Sequence, residues 1–126
     1  MLYWLEDGKE IKEIGSRHKG FYSQGESRLS AQEIKGIRDF INGKIDNVLE
    51  CEDKFFVPGW HAGDDWNGTA LQVIYDKAFP KDAANSALWY GIACMECIIE
   101  RNEHWYALKA DFNRGFEQTV YFIKDE

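Results

Sequence analysis

The sequence predicts an α+β fold: two or three helices packed on an antiparallel sheet that includes a carboxyl-terminal β-hairpin. Three observations carry this expectation. Apolar residues recur at helical spacing behind capping residues at Ser30 and Asp82. Residues 104–123 alternate around a short turn that contains Gly115. The chain has 126 residues, 44% hydrophobic and 29% charged, which suits a single domain over 1–126 with a core of its own.

The first elements are the least regular. Asp7-Gly8 lies between Leu2-Tyr3-Trp4-Leu5 and Ile11 to Ile14, so a type I′ hairpin turn is expected there. The isoleucines of the second arm are three apart, which suits a helical turn better than a strand. Residues 15–29, with Gly15, Gly20 and Gly25, read as loop. Ser30-Ala31-Gln32-Glu33 is a capping box: the serine oxygen accepts from an orphan amide, and the glutamate reaches back. The helix it opens aligns Ile34, Ile37 and Ile41, and Asn42-Gly43 predicts a stop near 42 and a second piece to about 51.

Thr69-Ala70-Leu71-Gln72 forms a second capping-box pattern, opening a helix with Leu71, Ile74, Tyr75 and Ala78 aligned until Pro80 ends it. Asp82 then caps the strongest helix, about 83–101. Its main stripe is Ala84, Leu88, Gly91, Ile92, Met95 and Ile99. Ser86, Tyr90, Ala93, Cys97 and Arg101 form a second seam opposite, so the helix is expected to be sandwiched. That seam is covered either by the rest of the chain or by a second copy, which makes Ser86, Tyr90, Ala93 and Cys97 the candidate homodimer interface. His104 to Phe112 alternates, with Tyr106, Leu108, Ala110 and Phe112 on one face, and Phe116 to Ile123 returns as its partner strand.

Composition narrows the function classes. The net charge is −7, which argues against binding along a nucleic-acid backbone. Residues 9–44 carry a balance of +3 and residues 45–126 one of −8. Arg17, Lys19, Arg28, Lys35 and Arg38 are read as a solvated face rather than a basic site. No apolar run is long enough to span a membrane, the first residues lack a secretory leader, and three cysteines give no disulfide framework. A cytoplasmic location is expected.

The candidate site is the stretch Phe55 to Gly68. It follows no regular period, yet it holds four large aromatics, three glycines, a histidine and paired carboxylates. Phe56, Trp60, His61, Asp64, Asp65, Trp66 and Asn67 are the candidate ligand-binding residues. Trp60 and Trp66 with their phenylalanine neighbours form an aromatic wall for an apolar or planar ligand, or else anchor the loop to the core. His61 with Asp64 or Asp65 could serve a metal-assisted or hydrolytic reaction, but aspartates before Thr69 are also ordinary cap and turn residues. Cys94-Met95-Glu96-Cys97 lies deep inside a helix, without the amino-terminal dipole that favours thiolate and without a second cysteine pair for zinc. Both cysteines are read as buried apolar residues, and no cofactor or metal is expected.

The segments Asp65-Trp66-Asn67-Gly68-Thr69, Ile74-Tyr75-Asp76-Lys77-Ala78, the helix around Gly91 and Trp105-Tyr106 resemble small uncharacterised bacterial proteins carried on integron mobile gene cassettes. The resemblance covers Phe55 to Tyr106 and implies an accessory role, with no activity or catalytic residue attached. The function expected is a binding or modulating module rather than an enzyme. Its partner would be a small apolar or planar ligand, or a basic protein attracted by the acidic half.

Overall fold

The computed structural model describes residues 1–59, 65–110 and 118–123. Its strands are β1 (Leu2–Trp4), β2 (Phe55–Phe56), β3 (Trp105–Ala110) and β4 (Gln118–Ile123), in the order β1-β3-β4-β2. The hairpin expected at the carboxyl end is present, with Trp105 opposite Ile123 and Ala110 opposite Gln118. The sheet is mixed rather than wholly antiparallel, because β1 runs parallel to β3 with Leu2 beside Trp105. Parallel neighbours need a long crossover, and here the helices supply it.

The pleat sorts the strand residues into two layers. Leu2, Phe56, Trp105, Ala107 and Tyr121 are buried and join the helices in one core. The core-facing residues of β3 are therefore Trp105 and Ala107, not the Tyr106, Leu108 and Ala110 set that alternation alone singles out. Across the other layer Tyr3, Tyr106, Phe122 and Phe55 stand in register, with successive ring centroids 6.3, 5.9 and 6.0 Å apart. His104 stacks on Tyr3 at 4.3 Å, so this row of rings extends past the sheet.

The amino-terminal turn is present in altered form. Ile11 N–H donates to Leu2 O and Trp4 N–H to Lys9 O, closing the loop around Gly8. Only Gly8 has positive φ in that turn, whereas type I′ needs two such residues, so a wider loop held by Asp7 takes its place.

Residues 15–29 are not loop. Helix α1 spans Ser16–Glu26 despite Gly20 and Gly25. Its stability comes from tertiary packing: Tyr22 stacks on Trp89 at 4.8 Å, and the Trp89 indole N–H donates to Tyr22 O at 2.9 Å.

Helix α2 spans Ala31–Leu49 and begins with the expected reciprocal box, since Ser30 Oγ accepts from Glu33 N–H and Glu33 Oε1 from Ser30 N–H. It does not stop at Asn42-Gly43. The run of Ile37, Ile41, Ile45 and Val48, all buried, continues its packing across that point, and a single glycine costs only about 1 kcal/mol.

After the loop, Ile74–Ala78 forms a π-helical segment. The second capping pattern does not close reciprocally. Thr69 Oγ1 accepts from Leu71 N–H, while the Gln72 amide donates along the helix to Asp76. Leu71, Ile74 and Ala78 are fully buried, as their spacing predicts, but Tyr75 is outside that stripe and 37% exposed.

Helix α3, Ala83–Glu100, is capped by Asp82, which accepts from Asn85 N–H at 3.0 Å. Its two stripes are reversed in importance. Ser86, Trp89, Tyr90, Ala93, Cys94, Cys97 and Ile98 are buried, whereas of the expected main stripe Ile92 is buried but Leu88 is 48% exposed. Helices α1 and α2 and the π-helical segment all pack against α3, so the seam is covered within the chain. None of the helices described is long and apolar enough to cross a membrane.

Candidate functional site

A hollow of about 560 Å³ lies between the segment around Trp66 and the first half of α3. Pro58, Gly59, Asp65, Trp66 and Asn67 form one side, Gln72 and Tyr75 another, and α3 closes it with Ala83, Ser86, Ala87, Tyr90 and Gly91. Its size is that of a small-molecule site.

The hollow exists because of what α3 lacks. Ala83, Ala87 and Gly91 recur every fourth residue, so they share one helix face and present almost no side chain. A Cβ built on Gly91 would meet nothing within 4 Å. Between these small positions, Tyr90 supplies a wall. Its ring lies 5.6 Å from that of Trp66 at 60°, an edge-inclined pair that fixes the indole.

The polar groups of the wall are held by hydrogen bonds within the chain. Tyr90 Oη donates to Pro58 O at 3.2 Å, which ties the start of the loop to α3. Ser86 Oγ donates to Phe79 O at 3.4 Å, and Gln72 Nε2 to Asp76 Oδ1 at 3.0 Å. Asp65 Oδ1 accepts from Asn67 N–H at 2.9 Å, a local turn bond. Burial pushes the Tyr90 hydroxyl well above its ordinary range, helped by the nearby Cys94, so it remains protonated.

The residues expected at the site divide into three sets. Asp65, Trp66 and Asn67 line the hollow, joined by Ser86 and Tyr90 from the seam read as an interface. Phe56 does not: the strand pleat turns it into the core against Tyr121 while Phe55 faces outward, 53% exposed. Trp60, His61 and Asp64 lie outside the described residues, so the histidine–carboxylate arrangement does too. Ala93 and Cys97 are 0% and 1% exposed and belong to the interior of the chain. Missing from the sequence reading were Gln72, Tyr75 and the small-residue face Ala83/Ala87/Gly91. The fourfold spacing of those last three small residues was the available signal.

The cysteine pair matches its expected burial. Cys94 and Cys97 are closed off from solvent and Cys51 is exposed. Burial raises both buried thiols, Cys94 well above its ordinary value and Cys97 to about 11 despite Arg38 nearby. A thiol reagent at pH 8 should therefore modify one of the three cysteines in the native protein and all three in urea. Because the folded pKa values are raised, the stability these groups contribute is complete below the unfolded thiol value of about 8.5 and falls as pH rises toward 11. Native labelling of Cys94 and Cys97 as fast as Cys51 would contradict this.

Four of the five positive residues singled out between 17 and 38 are engaged within the chain. Lys19 pairs with Glu13 at 2.8 Å, Lys35 with Asp39 at 2.6 Å, and Arg38 with Glu100, while the Arg28 guanidinium donates to Ala78 O and lies over the Phe79 ring. Among the described residues, no group of three His, Cys, Asp or Glu side chains could hold a metal ion. Comparison with protein-family models, curated proteins and solved structures finds no match to this chain.

Proposed function

We infer that the chain is an accessory binding module that takes a small planar ligand into the hollow between Trp66 and Tyr90. The observation that carries this reading is the built wall. Two rings are fixed against each other, their polar neighbours are anchored on backbone carbonyls, and α3 withholds side chains where a ligand would lie. A rigid, mostly apolar cavity with a few oriented polar groups is the usual form of a small-molecule site. The accessory role accords with the resemblance to cassette-borne proteins.

Filling the hollow tests the reading. Gly91→Leu places a side chain where nothing lies within 4 Å, and leucine is about 0.7 kcal/mol better than glycine in a helix interior, so the fold is retained. Quinoline, a planar probe of suitable size, should quench the fluorescence of the wild-type protein and shift the NMR signals of Trp66, Tyr90 and Gly91. In Gly91→Leu that response should fall at least about tenfold, with an unchanged or raised melting temperature. Quinoline binding equally well to both proteins would place the ligand elsewhere and remove the reading.

A further inference from the structure

We propose that the ligand of this hollow is an organic cation, held by Asp65 against the faces of Trp66, Tyr75 and Tyr90; this rests on the hollow being a binding site at all. Among the described residues, Asp65 is the only acidic side chain lining the hollow, and no described Lys, Arg or His shares the wall with it. Three of the lining residues carry π faces, which attract positive charge through the ring quadrupole.

The hydrogen bonds point the same way. Tyr90 and Ser86 commit their hydroxyl hydrogens to Pro58 O and Phe79 O, and Gln72 commits one of its two amide hydrogens to Asp76. With those hydrogens committed, the two hydroxyls have only oxygen lone pairs left for a ligand, which suits a positively charged ligand or a hydrogen-bond donor and disfavours an anion. One feature opposes a cation: α3 begins at Ala83, and helix amino termini carry partial positive charge. Asp82 offsets it, accepting from both the backbone and the side-chain amide of Asn85. The net charge of −7 adds a long-range attraction for cations at low salt.

N-methylquinolinium and methylnaphthalene separate charge from shape, because they differ by one ring nitrogen and its positive charge. Calorimetric or fluorescence titration should give the cation at least about tenfold tighter binding. Asp65→Asn should remove about threefold or more of that preference while leaving methylnaphthalene affinity unchanged, and added salt should weaken only the cation. Trp66→Leu should weaken both probes, which locates them in the same hollow. Equal affinity of the two probes for the wild type would overturn the cation assignment and leave the site intact. A preference that survives Asp65→Asn would overturn it as well. Binding of neither probe would overturn both this assignment and the site on which it rests.

Discussion

Gly25→Ala is expected to lower the unfolding free energy by about 2–6 kcal/mol, more than a methyl group added at any other described glycine. A Cβ at this position would lie 2.2 Å from Trp89 Nε1 and 2.6 Å from its Cδ1, far inside van der Waals contact. The indole cannot yield cheaply. Trp89 is fully buried, stacked on Tyr22, and donates its N–H to the Tyr22 carbonyl. Moving it strains the core by about 1–3 kcal/mol and leaves a buried donor and acceptor unmatched for about 1–3 kcal/mol more. For a domain whose whole stability is about 5–15 kcal/mol this is close to the limit.

Gly20→Ala in the same helix is the internal control. Nothing lies within 4 Å of its Cβ, so it should gain about 0.5–1 kcal/mol from helix propensity and the stiffer unfolded chain. Urea unfolding followed by tryptophan fluorescence distinguishes the two. If Gly25→Ala does not fold, combining it with Trp89→Phe should restore folding, because the smaller ring vacates the space. Equal stability of the two alanine variants would show that the α1–α3 contact is not as close as described.

That contact also explains which parts of the fold were legible from sequence. Ser30 and Asp82 announce their helices because capping is chemistry between residues three apart, and the strands 105–110 and 118–123 announce themselves by alternation. Helix α1 does not, since Gly15, Gly20 and Gly25 are poor helix formers and the energy that overrides them comes from Trp89, more than sixty residues away. Asn42-Gly43 misleads for the same reason: local preference says stop, and buried Ile41, Ile45 and Val48 hold the helix on course.

The two faces of α3 were distinguishable, but their ranking was not. Hydrophobicity favours Leu88 over Ser86, yet Ser86 is buried and bonds the Phe79 carbonyl, while Leu88 is half exposed. The candidate site was legible as a neighbourhood, through Asp65, Trp66 and Asn67. Its far wall was not, because the meeting of Tyr75, Tyr90 and Gly91 with that loop is a product of the tertiary fold.

Arg101→Met is expected to cost about 2 kcal/mol at pH 7, and its cost should shrink as the solution is acidified. Arg101 stands where α3 ends and the chain turns toward β3. Its guanidinium donates to Glu103 at 2.7 Å, to Asn42 Oδ1 at 2.9 Å and to Asp46 at 2.6 Å, which fastens the later turns of α2 to this corner. Glu103 Oε1 also accepts from the Trp105 indole at 3.0 Å, and the carbonyls of Arg101 and Glu103 accept from the amino group of Met1. One arginine thus joins α2, the start of β3 and the start of β1. The Asp46 arm contributes little, because that carboxylate is 64% exposed; the weight falls on Glu103 and Asn42.

The pH dependence separates this account from mere loss of packing. Burial by itself would raise the Glu103 carboxyl, but the hydrogen bonds from Arg101 and Trp105 overcome it and hold the group below its ordinary value. A depressed folded pKa means that the stability it contributes is complete above the unfolded carboxyl value of about 4.3 and is lost as pH falls through the folded one. Without Arg101, only the Trp105 indole and a backbone hydrogen bond oppose burial, so the folded Glu103 pKa lies higher than in the wild type, and the variant gains stability relative to the wild type as pH drops from 7 toward 3. Unfolding curves of the two proteins at several pH values should therefore converge on the acid side. Parallel curves would mean that the Arg101 stem, rather than its charge, holds the corner together.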